Sequence, residues 1–600
     1  MEKYPVFLSV LILIFFTFFI YFPSLFSSFC LDDAIIFSAS YPKTLQDSPY
    51  LLIEPVRCRV MNYYRPVTFL SFILDYTLWE NNPAGYHLSN IILAAWNSCL
   101  VFLFARLFLD DKQSLLAACL FVFYPGHSEA VLGIYNRSQM LSSLFNLMAL
   151  LCFNQFVRKS SGHKKWLLLS AFCTLAGCMS KESSLVIPFL SLLLFYYGNP
   201  EGKRWKLAFC GCIFQGIACG IYWILRYYAL GTLAVHEVDP FFPSGTIYFN
   251  ASKVLFHYLL FAFFPYPLSH DYPWEIVGFH GSGIVFPILI LVSAWFFYKK
   301  PSRLYLFAFF FFFLNLVPVL HIVPLQIAFA ERFLYSAYPG ICILWVLFFK
   351  NFRNRSFLFL LLFIMALITF QRCFDWKDND TLWAKTMQTM PQSYRAYIYS
   401  GSQHIRKQEY EKGLQQYEEA LKRKPNRQNL LIIEYNKAIA FRSLQEPDKA
   451  KEHLKKALTI HPYHIDSLIL SGDIALEEKQ QDIALLYYQR AYDIENSFSP
   501  RYFEVIEKIA RIFALQKNYQ KAILFYEKAL LVSQDKPDLY PKLAFLYIQE
   551  KNFAKAKECL EKAPKEEYTT LYIFSLFYEK SGDPGKAQQY LQKAQKYKKN

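Results

Sequence analysis

Up to about residue 372 the sequence is a succession of apolar stretches rich in Phe, Leu and Ile, many of them close to the roughly 20 residues an α-helix needs to cross a bilayer. Lipid offers no partner for backbone N–H and C=O groups, so a chain that crosses it repeatedly must close its hydrogen bonds internally, and runs of this length fit helices. At "FQRCFDWKDND" (370–380) charged residues replace the apolar run, and no later stretch is long enough to span. The expected fold is all-α: a polytopic transmembrane domain over 1–372, a connector over 373–392 and a soluble domain over 393–600.

The first apolar run, 5–22, follows Lys3 as a secretory leader would. No small-x-small cleavage site comes after it, and Ser28 and Phe29 before Cys30 do not fit lipoprotein processing, so it is read as a span. Lys and Arg beside span ends favour the cytoplasmic side. Basic connections at "RKSSGHKK" (158–165), "EGKRWK" (201–206), "KKPSR" (299–303) and "KNFRNR" (350–355) then fix the topology. The expected spans are 5–22, 87–109, 113–125, 131–157, 166–180, 184–198, 206–228, 281–298, 304–323, 333–349 and 356–371, about eleven, with the tail outside. Residues 250–265 are read as re-entrant or interfacial, because a full crossing there inverts every later loop. Cytoplasmic loops account for much of the net charge of +16, and without a nucleic-acid motif no nucleic-acid partner is expected.

Most of the 13 cysteines lie in or beside apolar runs, where cysteine acts as a small buried hydrophobe, and none has metal-ligand spacing. Cys30 and Cys58 fall in one outside loop, where an oxidising compartment would let them pair.

The tail carries a period of about 34 residues. Small residues recur at Gly401 and Ala420, then Ala438, Ala450 and Ala457, then Gly472, Ala484 and Ala491, and onward to Ala587 and Ala594. This resembles about six tetratricopeptide (TPR) repeats. Small residues let antiparallel helices approach, while Tyr417, Tyr488 and Tyr526 are expected to fill the spaces between hairpins. A solenoid of this kind has a concave groove suited to a peptide or protein, or it serves as a rigid spacer.

The outside face of the membrane domain collects the unusual polar residues: Asp32 and Asp33 in "FCLDDAIIF", "YYRPVTFLSFILD" (63–75), "YPGHSEAVLGIYNRSQ" (124–139), "SKES" (180–183), "FPYPLSHDYPW" (264–274) and "AERFLY" around Glu331 and Arg332. Ionisable groups at membrane depth are costly and point to function. In order and topology these motifs, followed by Trp376, Trp383 and the repeats, resemble the transmembrane-and-TPR (TMTC-type) O-mannosyltransferase family and its bacterial relatives. The resemblance implies a GT-C glycosyltransferase fold, a catalytic acid in the first outside loop, inversion at the sugar carbon, a polyprenyl-phosphate sugar donor as substrate and no cofactor. One departure is visible: where the family reads Gly-Arg-Ala-Asp after "HSEAV", this chain has Asn136, Arg137, Ser138 and Gln139, and that acid is lost.

Moving a sugar from a lipid phosphate to a hydroxyl needs a base for the hydroxyl proton and donors for the leaving phosphate. Asp32 or Asp33 suits the first task, with Glu129 as a further catalytic candidate. Arg65, Arg137 and Arg332 suit the second, since guanidinium grips phosphate in a fork. His127 is assigned to orienting the acceptor, Lys181 with Glu182 to a phosphate contact or a structural pair, and Asp271 to the substrate loop. The plainer alternatives are a helix cap for the Asp pair, loop satisfaction for His127, Glu129 and Asp271, and an interfacial anchor for Arg332. No metal site is expected, because adjacent Asp side chains diverge. The sequence reads as a membrane glycosyltransferase, with mannose the expected sugar, acting on protein or another exported acceptor held by the TPR groove. The rival readings are a noncatalytic TPR assembly factor and a transferase for lipid or polysaccharide. The expected location is a bacterial inner membrane with a periplasmic tail, the endoplasmic reticulum being the alternative.

Overall fold

The computed structural model describes residues 6–33, 64–158, 164–198, 204–231, 247–273, 303–321, 327, 329–350, 355–494, 500–532 and 536–597, and every regular element among them is helical. The chain divides into two units, Met1–Ala396 and Tyr397–Asn600.

In the first unit, ten of the expected spans coincide with helices: α1 (Val6–Tyr21), α3 (Pro83–Ala105), α4 (Asp111–Phe123), α6 (Arg137–Arg158), α7 (Lys164–Ser180), α8 (Ile187–Gly198), α9 (Trp205–Leu230), α11 (Arg303–Leu316), α12 (Tyr338–Phe349) and α13 (Arg355–Asp375). The expected span 281–298 lies outside the described residues. By length and composition five helical segments can cross a membrane, and a sixth if Asp111–Phe123 and Pro125–Leu132, bent by 58°, count as one. The remaining apolar helices are shorter than the sequence suggested because prolines interrupt them: Pro318 closes α11 into a short 3-10 turn and Pro339 sits in the first turn of α12. The stretch at 250–265 forms α10 (Ile247–Phe263), 17 residues long.

A further helix, α2 (Pro66–Trp79), occupies the loop before the second span. It buries Phe69, Phe72 and Ile73 and leaves Leu70, Leu74 and Leu78 exposed on the opposite stripe, the pattern of a helix lying at an interface. Helix starts carry their own signals: the Asn82 side chain accepts from the Ala84 amide before Pro83, and Asp110 accepts from the Gln113 amide at 2.9 Å. The exposed Phe7, Phe15 and Phe19 of α1 and Phe359 and Phe363 of α13 are the residues a lipid solvent accepts.

The stretch read as a connector, 373–392, is part of this unit. Trp376 and Met390 are buried, and α14 (Asn379–Thr389), capped by Asp378, buries Leu382. A large indole and two apolar side chains bring enough area to dock it, so the chain does not run free there.

From Tyr394–Arg406 to Pro584–Tyr597 the chain forms twelve helices, six hairpins by sequence order. A Cβ placed on Gly401 would lie 2.7 Å from the Tyr417 ring, and one on Gly472 2.5 Å from the Tyr488 ring. Each tyrosine therefore fills the gap inside its own hairpin rather than between hairpins. The first helix of each hairpin ends on a left-handed residue: Gln408, Gln445, Lys479, Lys517, Lys551 and Gly582. The next amide bonds back across the turn, as Gln480 N–H does to the Ala475 carbonyl at 2.8 Å, which closes the helix end as a Schellman motif.

Candidate active site

The turn that carries the acidic pair is anchored from several directions. The Ser28 amide donates to the Lys377 carbonyl at 2.8 Å, and the Leu31 amide to Asn379 Oδ1 at 2.8 Å. Leu31 has φ 53°, a left-handed conformation that costs a branched side chain about 1 kcal/mol or more. This kink sends the two carboxylates apart.

Asp33 points inward and is 1% exposed. Its Oδ2 accepts the Cys30 amide at 2.9 Å and its Oδ1 accepts the Tyr135 amide at 2.8 Å. Burial pushes its pKa up to about 7, against the backbone amides that favour the carboxylate. It is a latch between the 28–33 turn and the loop before Arg137. Asp32, next to it, is exposed, and among the described residues it has no hydrogen-bond or ion-pair partner. The protein crowding its recess raises its pKa, while Arg332 and Arg395 pull it down. Cys30 is a buried thiol facing the Ser28 and Trp376 carbonyls; its expected partner Cys58 lies outside the described residues.

Cations gather beside this acid. Arg332 pairs with Glu129, whose Oε2 also accepts the Arg332 amide at 2.9 Å. The Lys181 ammonium lies 4.6 Å from the centre of the Phe333 ring, and the Arg332 guanidinium 5.1 Å from the same ring. Lys181 donates to Gln139 Oε1 at 2.6 Å, so the position where the acid is missing faces this lysine. Burial, then the like charges of Arg65 and Arg332, hold the Lys181 pKa well below that of a free ammonium. Glu182 receives Arg65 at 2.8 Å and Arg226 at 3.1 Å. Arg65, Lys181 and Arg332 thus form a cationic cluster held by Glu182 and Glu129, and Arg332 links it to the field of Asp32.

Other expected site residues have structural tasks. Arg137 is 1% exposed; it pairs with Asp75 at 2.5 Å and donates to Asn90 Oδ1 at 2.7 Å and to the Tyr86 and Ser71 carbonyls. Its guanidinium is saturated, which removes it from the phosphate candidates. His127 Nδ1 donates to the Phe121 carbonyl at 2.9 Å, and the ring is buried among Phe121, Tyr124, Tyr335 and Tyr338; among the described residues it is walled off from an acceptor. Glu129, 1% exposed and committed to Arg332, is a positioning group rather than a base. Asp271 accepts Ser393 Oγ at 2.7 Å and Arg395 at 3.0 Å, which docks the end of this unit onto the 264–273 loop.

Several further residues were given no site role from sequence. Arg395, fixed by Asp271, faces Asp32. Glu331 accepts the Ser269 amide and the Tyr272 hydroxyl at 2.8 and 2.7 Å and pairs with Arg372 at 3.4 Å; burial outweighs Arg372 and pushes it up to about 7. His270 lies between Trp376 and Trp383 with ring centres 5.6 and 5.4 Å away. Burial and the three arginines 332, 395 and 372 push its pKa down to about 3, so it is neutral. His270 and Glu331 stand inside quoted motifs, the one available signal; Arg395 lies beyond the membrane segments and carried none.

Models of the family described as tetratricopeptide repeat match residues 435–464, 513–576 and 568–600. The chain is 25% identical over 603 residues to the mouse protein O-mannosyl-transferase TMTC3, covering 88% of this chain and 64% of that protein. It is 25% identical over 645 residues to the human TMTC3, covering 94% and 69%. A shorter stretch of 158 residues is 33% identical to the Drosophila melanogaster protein O-mannosyl-transferase Tmtc1, 26% of this chain and 18% of that one. The chain therefore spans about two thirds of the length of the TMTC3 proteins. Over most of its length the chain is thus similar to TMTC-type proteins, tetratricopeptide-repeat models match its tail, and among the described residues several helices are long and apolar enough to cross a membrane.

Proposed function

We propose that this chain is a membrane glycosyltransferase that moves a sugar, mannose by the names of its relatives, from a polyprenyl-phosphate carrier to a hydroxyl of a protein acceptor. The observation that carries this reading is the division of labour in the acidic pair: Asp33 is spent on two backbone amides, and Asp32 stands unpartnered and accessible beside fixed arginines. A base must reach its proton, and of the two only Asp32 is free to.

In the proposed reaction Asp32 takes the proton of the acceptor hydroxyl as its oxygen attacks the anomeric carbon. The bond from that carbon to the phosphate oxygen breaks, and the electron pair leaves with the lipid phosphate. Attack opposite the leaving group inverts the centre, and no covalent enzyme intermediate is needed. Arg65, Lys181 and Arg332 receive the growing phosphate charge; because Glu182 and Glu129 already fix two of them, little reorganisation accompanies the step. The TPR groove holds the acceptor chain. The reading places the tail and the acidic turn on the periplasmic or luminal side of the membrane. The test is transfer of labelled sugar from a polyprenyl-phosphate donor to protein by the purified full chain. Transfer abolished in Asp32→Asn, with donor binding and melting temperature kept, supports it; normal transfer by that variant ends it.

A further inference from the structure

Along one face of α13, Leu361, Ile364, Met365 and Ile368 line a cavity of about 510 Å³, within the size range of small-molecule sites. Phe263, Phe264 and Tyr266 close its far wall, and the last two are strongly exposed, 73% and 85%. Its other end is polar: Gln371, Arg372, Asp375, Lys385 and Thr389. From Leu361 to Asp375 the helix rises roughly 21 Å, enough to take an extended chain through one leaflet of about 15 Å. The shape is an apolar trough one leaflet deep with a polar cap at the level where α13 leaves the membrane.

The cap is charged in one sense. Arg372 is shared between Asp375 at 3.2 Å and the buried Glu331 at 3.4 Å, whereas Lys385 has no carboxylate partner among the described residues. Among the described residues one cap cation thus remains without a counter-ion, beside the end of α13. The lining of the trough includes none of Asp32, Arg65, Lys181 and Arg332, and Arg372 at its cap is held by the buried Glu331 at 3.4 Å.

We propose that this trough holds an anionic phospholipid, one acyl chain along α13 and its phosphate against Lys385 and the Thr389 hydroxyl, as a site distinct from that of the sugar donor. The occupant is anionic because Lys385 is, among the described residues, the cap cation that no carboxylate meets; a single lysine near a bilayer surface favours acidic lipid by about fivefold, and reversing its charge doubles the effect on a logarithmic scale. The site ties the end of α13, and with it the 376–379 segment that anchors the acidic turn, to the membrane.

The test uses the full chain in phosphatidylcholine nanodiscs carrying a photoactivatable phosphatidylglycerol, with crosslinked peptides mapped by mass spectrometry. Wild type is expected to crosslink in 361–371 and 263–268 with phosphatidylglycerol well above the matching phosphatidylcholine probe. Lys385→Glu should lower that yield about tenfold or more. Ile364→Trp, which fills the trough and leaves the cap intact, should lower it too, and it decides the matter should Lys385→Glu lose its fold by melting temperature. Equal labelling by both probes with no effect of either variant overturns the proposal. So does displacement of the probe by polyprenyl phosphate, or its loss in Arg65→Ala, since either makes the trough part of the donor site.

Discussion

The interhelical loops of the first unit and the hairpins of the second use the same kinds of residue to opposite ends. In the tail, charged side chains meet near neighbours or the same position one repeat away: Lys562 meets Glu558, and Lys542 meets Glu507. In the first unit the pairs join distant segments, Arg65 to Glu182, Arg137 to Asp75 and Arg332 to Glu129, and most are buried. Local exposed pairs add little, whereas breaking a buried pair strands a charge. The two regions should therefore respond very differently to similar mutations.

The largest difference is expected at Arg137. Arg137→Ala leaves Asp75 buried and unpaired and removes bonds to Asn90 and two carbonyls, so stability should fall by about 3–5 kcal/mol. Lys562→Ala in the tail, whose partner is a local exposed glutamate, should change it by less than about 0.5 kcal/mol. Thermal melting of the two variants compares them directly; a mild Arg137→Ala would dissolve the distinction.

Next comes the acidic pair, where the comparison moves within one turn. Asp32→Asn should keep its fold and lose turnover by about 10²-fold or more, as an amide cannot take the proton. Asp33→Asn should do the reverse in origin: its two oxygens each accept a backbone amide, and an Asn NH₂ placed against one of them loses that bond, costing about 1–3 kcal/mol of stability. Sugar transfer measured beside melting temperature separates them. Equal behaviour would return both to the status of a helix cap.

A repeat-level counterpart is Gly472→Ala. Its Cβ would meet the Tyr488 ring at 2.5 Å, and Tyr488 is fully buried, so overpacking should cost about 1–3 kcal/mol. Gly472→Ala combined with Tyr488→Phe tests whether room is the issue; a phenyl ring is as wide, so no recovery is expected, whereas Tyr488→Leu should recover part of the loss. Urea unfolding of the full chain reads both.

These contrasts explain what the sequence made legible. The tail's order is periodic, so Gly401, Gly472 and the tyrosines could be placed from spacing alone; only the gap they fill was misjudged, because spacing does not say which helix lies opposite. The apolar runs announced the first unit's helices, although prolines shortened several. Partners separated by 47 residues, as in Arg137 and Asn90, or by 203, as in Glu129 and Arg332, leave no local pattern, so Arg137 and Arg332 looked alike. One is saturated inside the unit and the other lies beside the free acid. Arg395 and the docking of 373–392 were hidden for the same reason.

The pH dependence of transfer offers a finer probe of the first unit. As base, Asp32 must be ionised, so turnover should rise with pH through its raised pKa. Arg395 lowers that pKa; Arg395→Gln should move the acidic limb to higher pH, while leaving turnover on the plateau closer to wild type. A limb that stays in place removes Arg395 from the field of the base.

The smallest effect sets the two regions side by side at the same backbone conformation. Lys479 ends a tail helix at φ 62° and Leu31 precedes Asp32 at φ 53°, and both conformations suit glycine better than a branched or long side chain. In the tail the left-handed residue only closes a helix end, since the Gln480 amide already satisfies the Ala475 carbonyl, so Lys479→Gly should be neutral or stabilising by about 0.5–1 kcal/mol with transfer unchanged. At Leu31 glycine also relieves strain, yet it frees the turn that aims the two carboxylates apart. Leu31→Gly should therefore leave the melting temperature near wild type and lower transfer several-fold, recovered in part by a donor-saturating assay only if binding rather than the position of Asp32 is lost. Matching neutral results at both sites would mean that the strained turn has no part in holding the base; a loss confined to Leu31→Gly would mark strain in this protein as functional where it is solitary and merely repetitive where it recurs every hairpin.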